Sequence, residues 1–143
     1  MTSDEKRQFT ARISQANRSE LVVIVFEMFD YCIEQAEDGF RVGDLNKAEK
    51  YLKNAKGCVS ELRGSLDMRY ELSYNLYSIY SYVNKQLTAS IVKREPVNID
   101  NVKKNMGKLR QSFEEVAKKD TSKSVIQNSQ QVYAGLTYGK GTL

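Results

Sequence analysis

Few residues in this chain have side chains that could perform catalysis, and their types argue against an enzyme. The 143 residues include no His, which is the commonest general base and metal ligand in proteins. The 18 Asp and Glu residues mostly occupy positions that helical periodicity places on solvated faces. No Gly-rich loop follows a predicted strand, and no Ser or Cys has an obvious neighbouring base. We therefore expect no catalytic, metal or cofactor site.

The two cysteines, Cys32 and Cys58, fall in apolar stretches with helical periodicity. They are too few for a disulfide framework or a structural zinc site, so we interpret both as small buried hydrophobic residues in a reducing compartment. No apolar run approaches the ~20 residues that cross a bilayer, and the N-terminus has no hydrophobic signal segment. These features predict a cytoplasmic protein without membrane insertion.

Helical periodicity predicts an all-α fold in which four long helices pack as an antiparallel four-helix bundle. Asn17 and Glu20 form a candidate capping box, so the first helix should run over residues 18–38 and break at Gly39 and Gly43. Asp44 is the candidate cap of the second helix. The third helix should start near Asp67 and stop before Pro96, which cannot continue a helix. Asn98 or Asp100 is the candidate cap of the fourth helix.

The bundle is therefore predicted to occupy residues 18–118, with a polar segment on either side. Residues 1–17 contain the isolated apolar residues Phe9 and Ile13 and are interpreted as a loose N-terminal arm. Residues 119–143 have a weak apolar pattern and form a C-terminal extension, which leaves room for a short fifth helix.

The first predicted helix carries more apolar surface than one bundle core requires. Its strand-like run VVIV is outweighed by its length and by a 3.6-residue period that continues beyond it. Two adjacent apolar stripes together cover about 220°, against about 100° for an ordinary core face. Val23 lies outside both stripes, among the acidic residues of the remaining side. The stripes are Leu21, Ile24, Val25, Met28 and Cys32, and Val22, Phe26, Phe29, Ile33 and Phe40.

The third predicted helix also has apolar side chains away from its core face. Tyr70, Tyr74 and Tyr77 follow the helical repeat roughly opposite the core stripe, which consists of Leu72, Leu76, Ile79, Val83 and Leu87. Tyrosine suits interfaces because it supplies a large contact area with a polar tip and little rotamer entropy. The surplus residues of both helices either complete the core, contact a fifth helix, or form grooves for helices of another protein.

The charge of the chain is unevenly distributed. Residues 1–84 carry 11 basic and 13 acidic side chains, whereas residues 85–143 carry 11 and 5. This skew fits an acidic partner or simply a solvated face. Nucleic-acid binding is the weaker interpretation, because the basic residues are scattered and no aromatic–basic motif accompanies them.

Three blocks, taken in order and with their spacing, resemble the family of flagellar export chaperones called FliS, over about residues 13–116. The block QANRSELVVIVFE is similar to the family's entry into its first long helix, and NAKGCVSELRGSLD to its next Lys-Ala…Glu-Leu…Leu-Asp spacing. The most specific block is YELSYNLYSIYSYVNKQL, which matches the family pattern at Glu71, Asn75, Leu76, Tyr80, Tyr82 and Leu87.

The resemblance implies a cytosolic chaperone that binds the disordered C-terminal segment of flagellin as helices and prevents premature polymerisation. It also implies delivery of flagellin to the export-gate protein FlhA, without any cofactor, and leaves a homodimer open. By resemblance, Phe9, Ile13 and Phe26 are candidate client contacts, whereas Tyr80 is interpreted as structural. Geometry adds four more candidates, which are Val23, Tyr70, Tyr74 and Tyr77. An unrelated helical adaptor and a basic helical nucleic-acid binder are the alternatives.

The C-terminal tail suggests a further hypothesis. Its segment VIQNSQQVYAGL resembles the Gln/Asn-rich end of flagellins. We interpret it as a candidate pseudo-client, able to dock in the chaperone's own groove or in that of a neighbouring copy.

Overall fold

The chain forms five α-helices in the computed structural model, which describes residues 3–123. No strand is present among these residues, and the prediction of an all-α bundle is confirmed. The helices are α1 (Ser3–Gln15), α2 (Arg18–Val42), α3 (Leu45–Gly64), α4 (Glu71–Lys93) and α5 (Ile99–Lys119). Helices α2 to α5 form the four-helix bundle, and α1 is an additional N-terminal helix. Most of the tail, with its optional fifth helix and its pseudo-client segment, lies outside the described residues.

The N-terminal segment is a helix, whereas the sequence suggested a loose arm. Asp4 and Glu5 lie in its first turn and Arg12 in its last, where each charge interacts favourably with the helix dipole. Phe9 and Ile13 are four residues apart on one face and pack against the bundle, with Ile13 fully buried. The sequence pattern did not predict this helix because two isolated apolar residues give only a weak periodic signal. The helix is stabilised by the burial of these two side chains against the bundle.

Helix α2 begins at the predicted capping box and ends later than predicted. The backbone N–H of Glu20 donates to Asn17 Oδ1 at 2.9 Å, and that of Asn17 donates to Glu20 Oε1 at 3.1 Å. The helix continues through Gly39 and stops at Gly43, whose φ of 78° is in the left-handed region. A Cβ on Gly39 would lie only 2.8 Å from the backbone N of Ala48. Gly39 is therefore required for the close approach of α2 and α3 rather than for a break.

The core is centred on α2, which packs between α3 and α5 and is also covered by α1. Helix α4 packs on α3, and its contact with α5 is the weakest between bundle neighbours. The largest fully buried side chains are Tyr80, Phe26, Phe29, Ile13, Met28, Ile33, Leu52, Leu62, Leu87, Met106 and Val59. The broad apolar arc of α2 is thus largely covered by the protein's own helices.

Helices α4 and α5 differ from prediction at the end of the bundle where α4 starts and α5 finishes. Helix α4 begins at Glu71 rather than near Asp67. Asp67 lies in the turn before the helix, and its carbonyl oxygen accepts a hydrogen bond from Ser73 Oγ of α4 at 2.6 Å. Leu72 was assigned to the core stripe of α4, but it is 66% exposed. Val116, whose spacing from Phe113 continues an apolar stripe on α5 and predicts a core position, is 53% exposed.

Asn98 precedes α5 as predicted but does not cap it with its side chain. Its backbone is left-handed, with φ 53°, and its side-chain amide donates to Gln86 Oε1 of α4 at 2.8 Å. This hydrogen bond fixes the α4–α5 connection. None of the helices described between residues 3 and 123 is both long and apolar enough to cross a membrane.

Candidate partner-binding surfaces

The tyrosine stripe of α4 forms an exposed aromatic surface. Tyr70, Tyr74 and Tyr77 are 64%, 57% and 44% exposed, and we call them the tyrosine surface. Tyr70 lies just before the helix and the other two in its first two turns. Met68, which the sequence did not single out, adds a fourth exposed apolar side chain in the preceding turn. The helical spacing of the stripe therefore places three adjacent rings where a partner can reach them.

The position of Tyr77 shows which helices border this surface. The Cζ atom of Arg63 on α3 lies 5.7 Å from the centroid of the Tyr77 ring, within the range of a cation–π contact. Tyr77 therefore lies at the boundary between α3 and α4. Each ring offers an apolar face and a hydroxyl, which is the combination that packs against an amphipathic helix of a partner.

Two of the three client contacts implied by the family resemblance are buried inside the protein. Ile13 of α1 and Phe26 of α2 are both fully buried. The Phe26 ring stacks on Phe113 of α5 with centroids 5.4 Å apart. Phe9 is partly buried against the same core. Contact between a partner and Phe9 or Ile13 therefore requires α1 to move away from α2, and contact with Phe26 requires the Phe113 ring to move as well.

Val23 lies at a different place, in a cavity between α1, α2 and α5. The cavity has a volume of about 470 Å³ and is lined by Arg12, Gln15, Ala16, Glu20, Val23, Ile24, Glu114, Ala117 and Lys118. We call it the α1–α2–α5 cavity. Val23, Ile24 and the two alanines are its apolar lining residues, and Arg12, Glu20, Glu114 and Lys118 are its charged ones. Of the seven candidate residues, Val23 is thus the one that already faces open space beside α1.

Ion pairs and hydrogen bonds hold α1 along α2. Arg12 pairs with Glu27 of α2. Nearer the start of α1, the Tyr31 hydroxyl donates to the Glu5 carboxylate; burial raises the pKa of Tyr31, and this hydrogen bond raises it further. Together with the buried side chain of Ile13, these contacts fix α1 at three levels. The helix is held by a small number of contacts that a partner could replace.

A second charged group connects α5 to α2. Arg110 donates to Asp30 Oδ2 at 2.7 Å and to Glu114 Oε1 at 2.9 Å, and it also reaches Glu27. Burial raises the pKa of Asp30, while the hydrogen bond and charge of Arg110 act in the opposite direction. Glu27 therefore lies between Arg12 and Arg110 and links the α1 contact to the α2–α5 contact.

The buried residues interpreted as structural are found in the core. Cys32 and Cys58 are both free and buried, and Tyr80 is 1% exposed. A hydrogen bond with Cys32 and burial both raise the pKa of the Cys58 thiol, which favours an unreactive thiol. Within residues 3–123, no group of three or more His, Cys, Asp or Glu side chains is placed to hold a metal ion.

One contact of Asn17 was not predicted from the sequence. Asn17, considered only as a helix cap, also donates its side-chain amide to the carbonyl oxygens of Asp120 and Ser122 at 3.3 and 3.2 Å. These partners follow α5, more than a hundred residues away. A capping asparagine has a spare amide group, but nothing in the local sequence indicates what it binds.

Comparison with known proteins identifies one family. A family model described as flagellar protein FliS matches residues 1–120. No curated protein sequence gives a match. The family match spans all five helices, and therefore includes the tyrosine surface and the α1–α2–α5 cavity.

Proposed function

Because the chain belongs to the FliS family of flagellar export chaperones, we propose that it binds the disordered C-terminal segment of flagellin in the cytoplasm. Binding covers the apolar segment that would otherwise drive polymerisation, so the assembly-competent form is depleted by mass action. The bound subunit is then delivered to the export gate, with FlhA as the partner there. FliS is a family of chaperones rather than of enzymes, and the mechanism requires no cofactor.

The observation that supports client binding most directly is the tyrosine surface. Tyr70, Tyr74 and Tyr77 remain exposed although the same chain buries, fully or in part, the apolar side chains of α2 that precede Val42. Exposed aromatic side chains grouped on one face are typical of binding sites. An amphipathic helix that forms in flagellin on binding would lie along the α3–α4 boundary, with its apolar face on the three rings.

A second client segment is proposed for the α1–α2–α5 cavity. Val23 faces this cavity, and Phe9 and Ile13 belong to the contact of α1 with the bundle, whereas Phe26 is buried against Phe113 of α5. Displacement of α1 would add Phe9 and Ile13 to the client surface, and contact with Phe26 would also require Phe113 to move. Helix α4 packs on α3 and has little contact with α5, so this site and the tyrosine surface lie on different sides of the bundle. A disordered client can reach both by wrapping, provided that the buried area offsets its loss of conformational entropy.

The experiment that tests the proposal is calorimetric titration of the full chain with purified flagellin and with flagellin that lacks its C-terminal segment. We expect binding of the intact protein and none of the truncated one. Equal binding of both flagellins, or of neither, would contradict the proposal. A parallel titration with double-stranded DNA examines the nucleic-acid alternative, which predicts binding that weakens steeply with salt. Sedimentation of the free chain determines whether it is a homodimer.

A further inference from the structure

The chain that follows α5 is attached to the beginning of α2. Besides the two hydrogen bonds from Asn17, Ser19 Oγ donates to Asp120 Oδ2 at 2.5 Å. Asn17 is only 3% exposed, so its amide depends on these partners for its hydrogen bonds. The backbone N–H of Ser122 donates to Asp120 Oδ1 at 2.8 Å and closes a turn there. The exit of the chain from the bundle is thus determined by four hydrogen bonds.

This exit lies beside the α1–α2–α5 cavity. Ala16 and Glu20, which flank the attached residues of α2 in sequence, line the cavity, and so do Ala117 and Lys118, just before Asp120. Twenty residues of the sequence follow Lys123. An extended chain spans about 3.3 Å per residue, so residues 124–126 can reach about 10 Å from the attachment. That length is sufficient to enter the cavity.

The first residues after the exit have side chains that match the cavity. Val125 and Ile126 are the first apolar residues after Ala117. Val23 and Ile24 line the cavity, where Val23 is partly exposed and Ile24 is 3% exposed, so Val23 supplies most of the apolar surface that an occupant can contact. The next two residues are Gln127 and Asn128, whose amides can form hydrogen bonds with the charged residues that line the cavity.

We propose that residues 124–128 occupy the α1–α2–α5 cavity of their own chain, with Val125 and Ile126 against Val23 and Ile24. Because the segment is tethered two to three residues away, its effective concentration is on the order of millimolar or higher, and weak intrinsic contacts suffice. The segment then competes with the client for the cavity. This last step depends on the proposed function, whereas the docking itself does not.

Docking is tested without any client by methyl NMR on the full chain. We expect nuclear Overhauser contacts between the Ile126 methyls and those of Val23 or Ile24. Replacement of Val125→Ser with Ile126→Ser should shift the Val23 and Ile24 methyl signals. The matched control, Val132→Ser with Leu136→Ser, lies further along the same tail and should leave those signals unchanged. Absent contacts together with unchanged signals would overturn the proposal, and contacts found only between differently labelled chains would overturn docking within one chain.

Competition is tested by titrating the same variants with flagellin. If the segment occupies the cavity nine-tenths of the time, the apparent Kd of the wild-type chain is raised about tenfold. We therefore expect Val125→Ser with Ile126→Ser to tighten binding by about two- to tenfold over the wild type and the control. Equal affinities of all three chains would refute competition. If none of them binds flagellin, the proposed function fails while the NMR contacts still decide whether the segment docks.

Discussion

Arg110 on α5 donates to Asp30 on α2 at 2.7 Å, and the same guanidinium reaches Glu114 and Glu27. Glu27 also pairs with Arg12 of α1. A single acidic residue on α2 is therefore shared by the helix that completes the bundle and by the helix that lies outside it.

Replacing Arg110→Ala should destabilise the protein. The change leaves Asp30, whose pKa is raised by burial, without its cationic partner. Because Arg110 is 33% exposed and the group is partly solvated, we expect a loss of about 1–2 kcal/mol in the free energy of unfolding, measured with urea. The control is Lys118→Ala, whose pair with Glu115 is well exposed; it should change stability by less than about 0.5 kcal/mol. Equal effects of the two changes would contradict this account.

Removing two rings from the tyrosine surface should weaken client binding and leave the fold intact. Tyr74→Ala with Tyr77→Ala deletes exposed side chains that contribute little to the core. We expect a loss of affinity for flagellin of about tenfold or more, since aromatic anchors at interfaces often contribute over 1.4 kcal/mol. Val92→Ala, at the other end of α4 and 75% exposed, is the matched control and should bind like the wild type. Undiminished affinity in a folded double variant would remove the tyrosine surface from the client site.

Truncation of the buried Ile13 side chain should lower the local stability of α1. Ile13 is fully buried, and Ile13→Ala leaves a cavity that costs about 2–4 kcal/mol. Because α1 has few other contacts, we expect the loss mainly as faster amide exchange in residues 3–15, with smaller changes in α3 and α4. Gln8→Ala, on the exposed side of α1, should leave exchange unchanged. Uniformly faster exchange in all five helices would mean that α1 unfolds only together with the bundle.

Two glycine replacements should have opposite effects on stability. Gly39→Ala places a Cβ 2.8 Å from the Ala48 backbone, so α2 and α3 must move apart at a cost of about 1–3 kcal/mol. Gly107→Ala lies within α5, where nothing is within 4 Å of the added Cβ. It should stabilise the protein by about 0.5–1 kcal/mol, because alanine favours a helix. The measurement is the thermal unfolding midpoint of both variants relative to the wild type, and a lower midpoint for Gly107→Ala would contradict the prediction.

The attachment of the chain after α5 should respond to acid. Hydrogen bonds from Ser122 and Ser19 lower the pKa of Asp120 to about 2. A depressed folded-state pKa contributes stability above the unfolded value of about 3.9, and this contribution is lost as the pH falls toward about 2. Carboxyl NMR titration should show the low pKa, and Ser19→Ala should raise it. A pKa of Asp120 near 3.9 in the wild type would show that the hydrogen bonds do not form.

The sequence by itself determined much of the bundle. Periodicity and capping chemistry act over one or two turns, so the capping box of Asn17 and Glu20 and the four bundle helices follow from local residues. The position of Tyr70, Tyr74 and Tyr77 on one helical face also follows from their spacing, whereas their exposure was decided by which helices pack around α4.

Only the tertiary structure decided how the surplus apolar residues are covered. Val23 and Phe26 are both on α2, yet one faces a cavity and the other is buried against Phe113. Gly39 was predicted to break the helix, but it allows the close contact between α2 and α3. Residues 3–15 form a helix although their apolar periodicity is weak. In each case the outcome depends on which distant segment packs there, and a local pattern carries no information about the position of residues far along the chain.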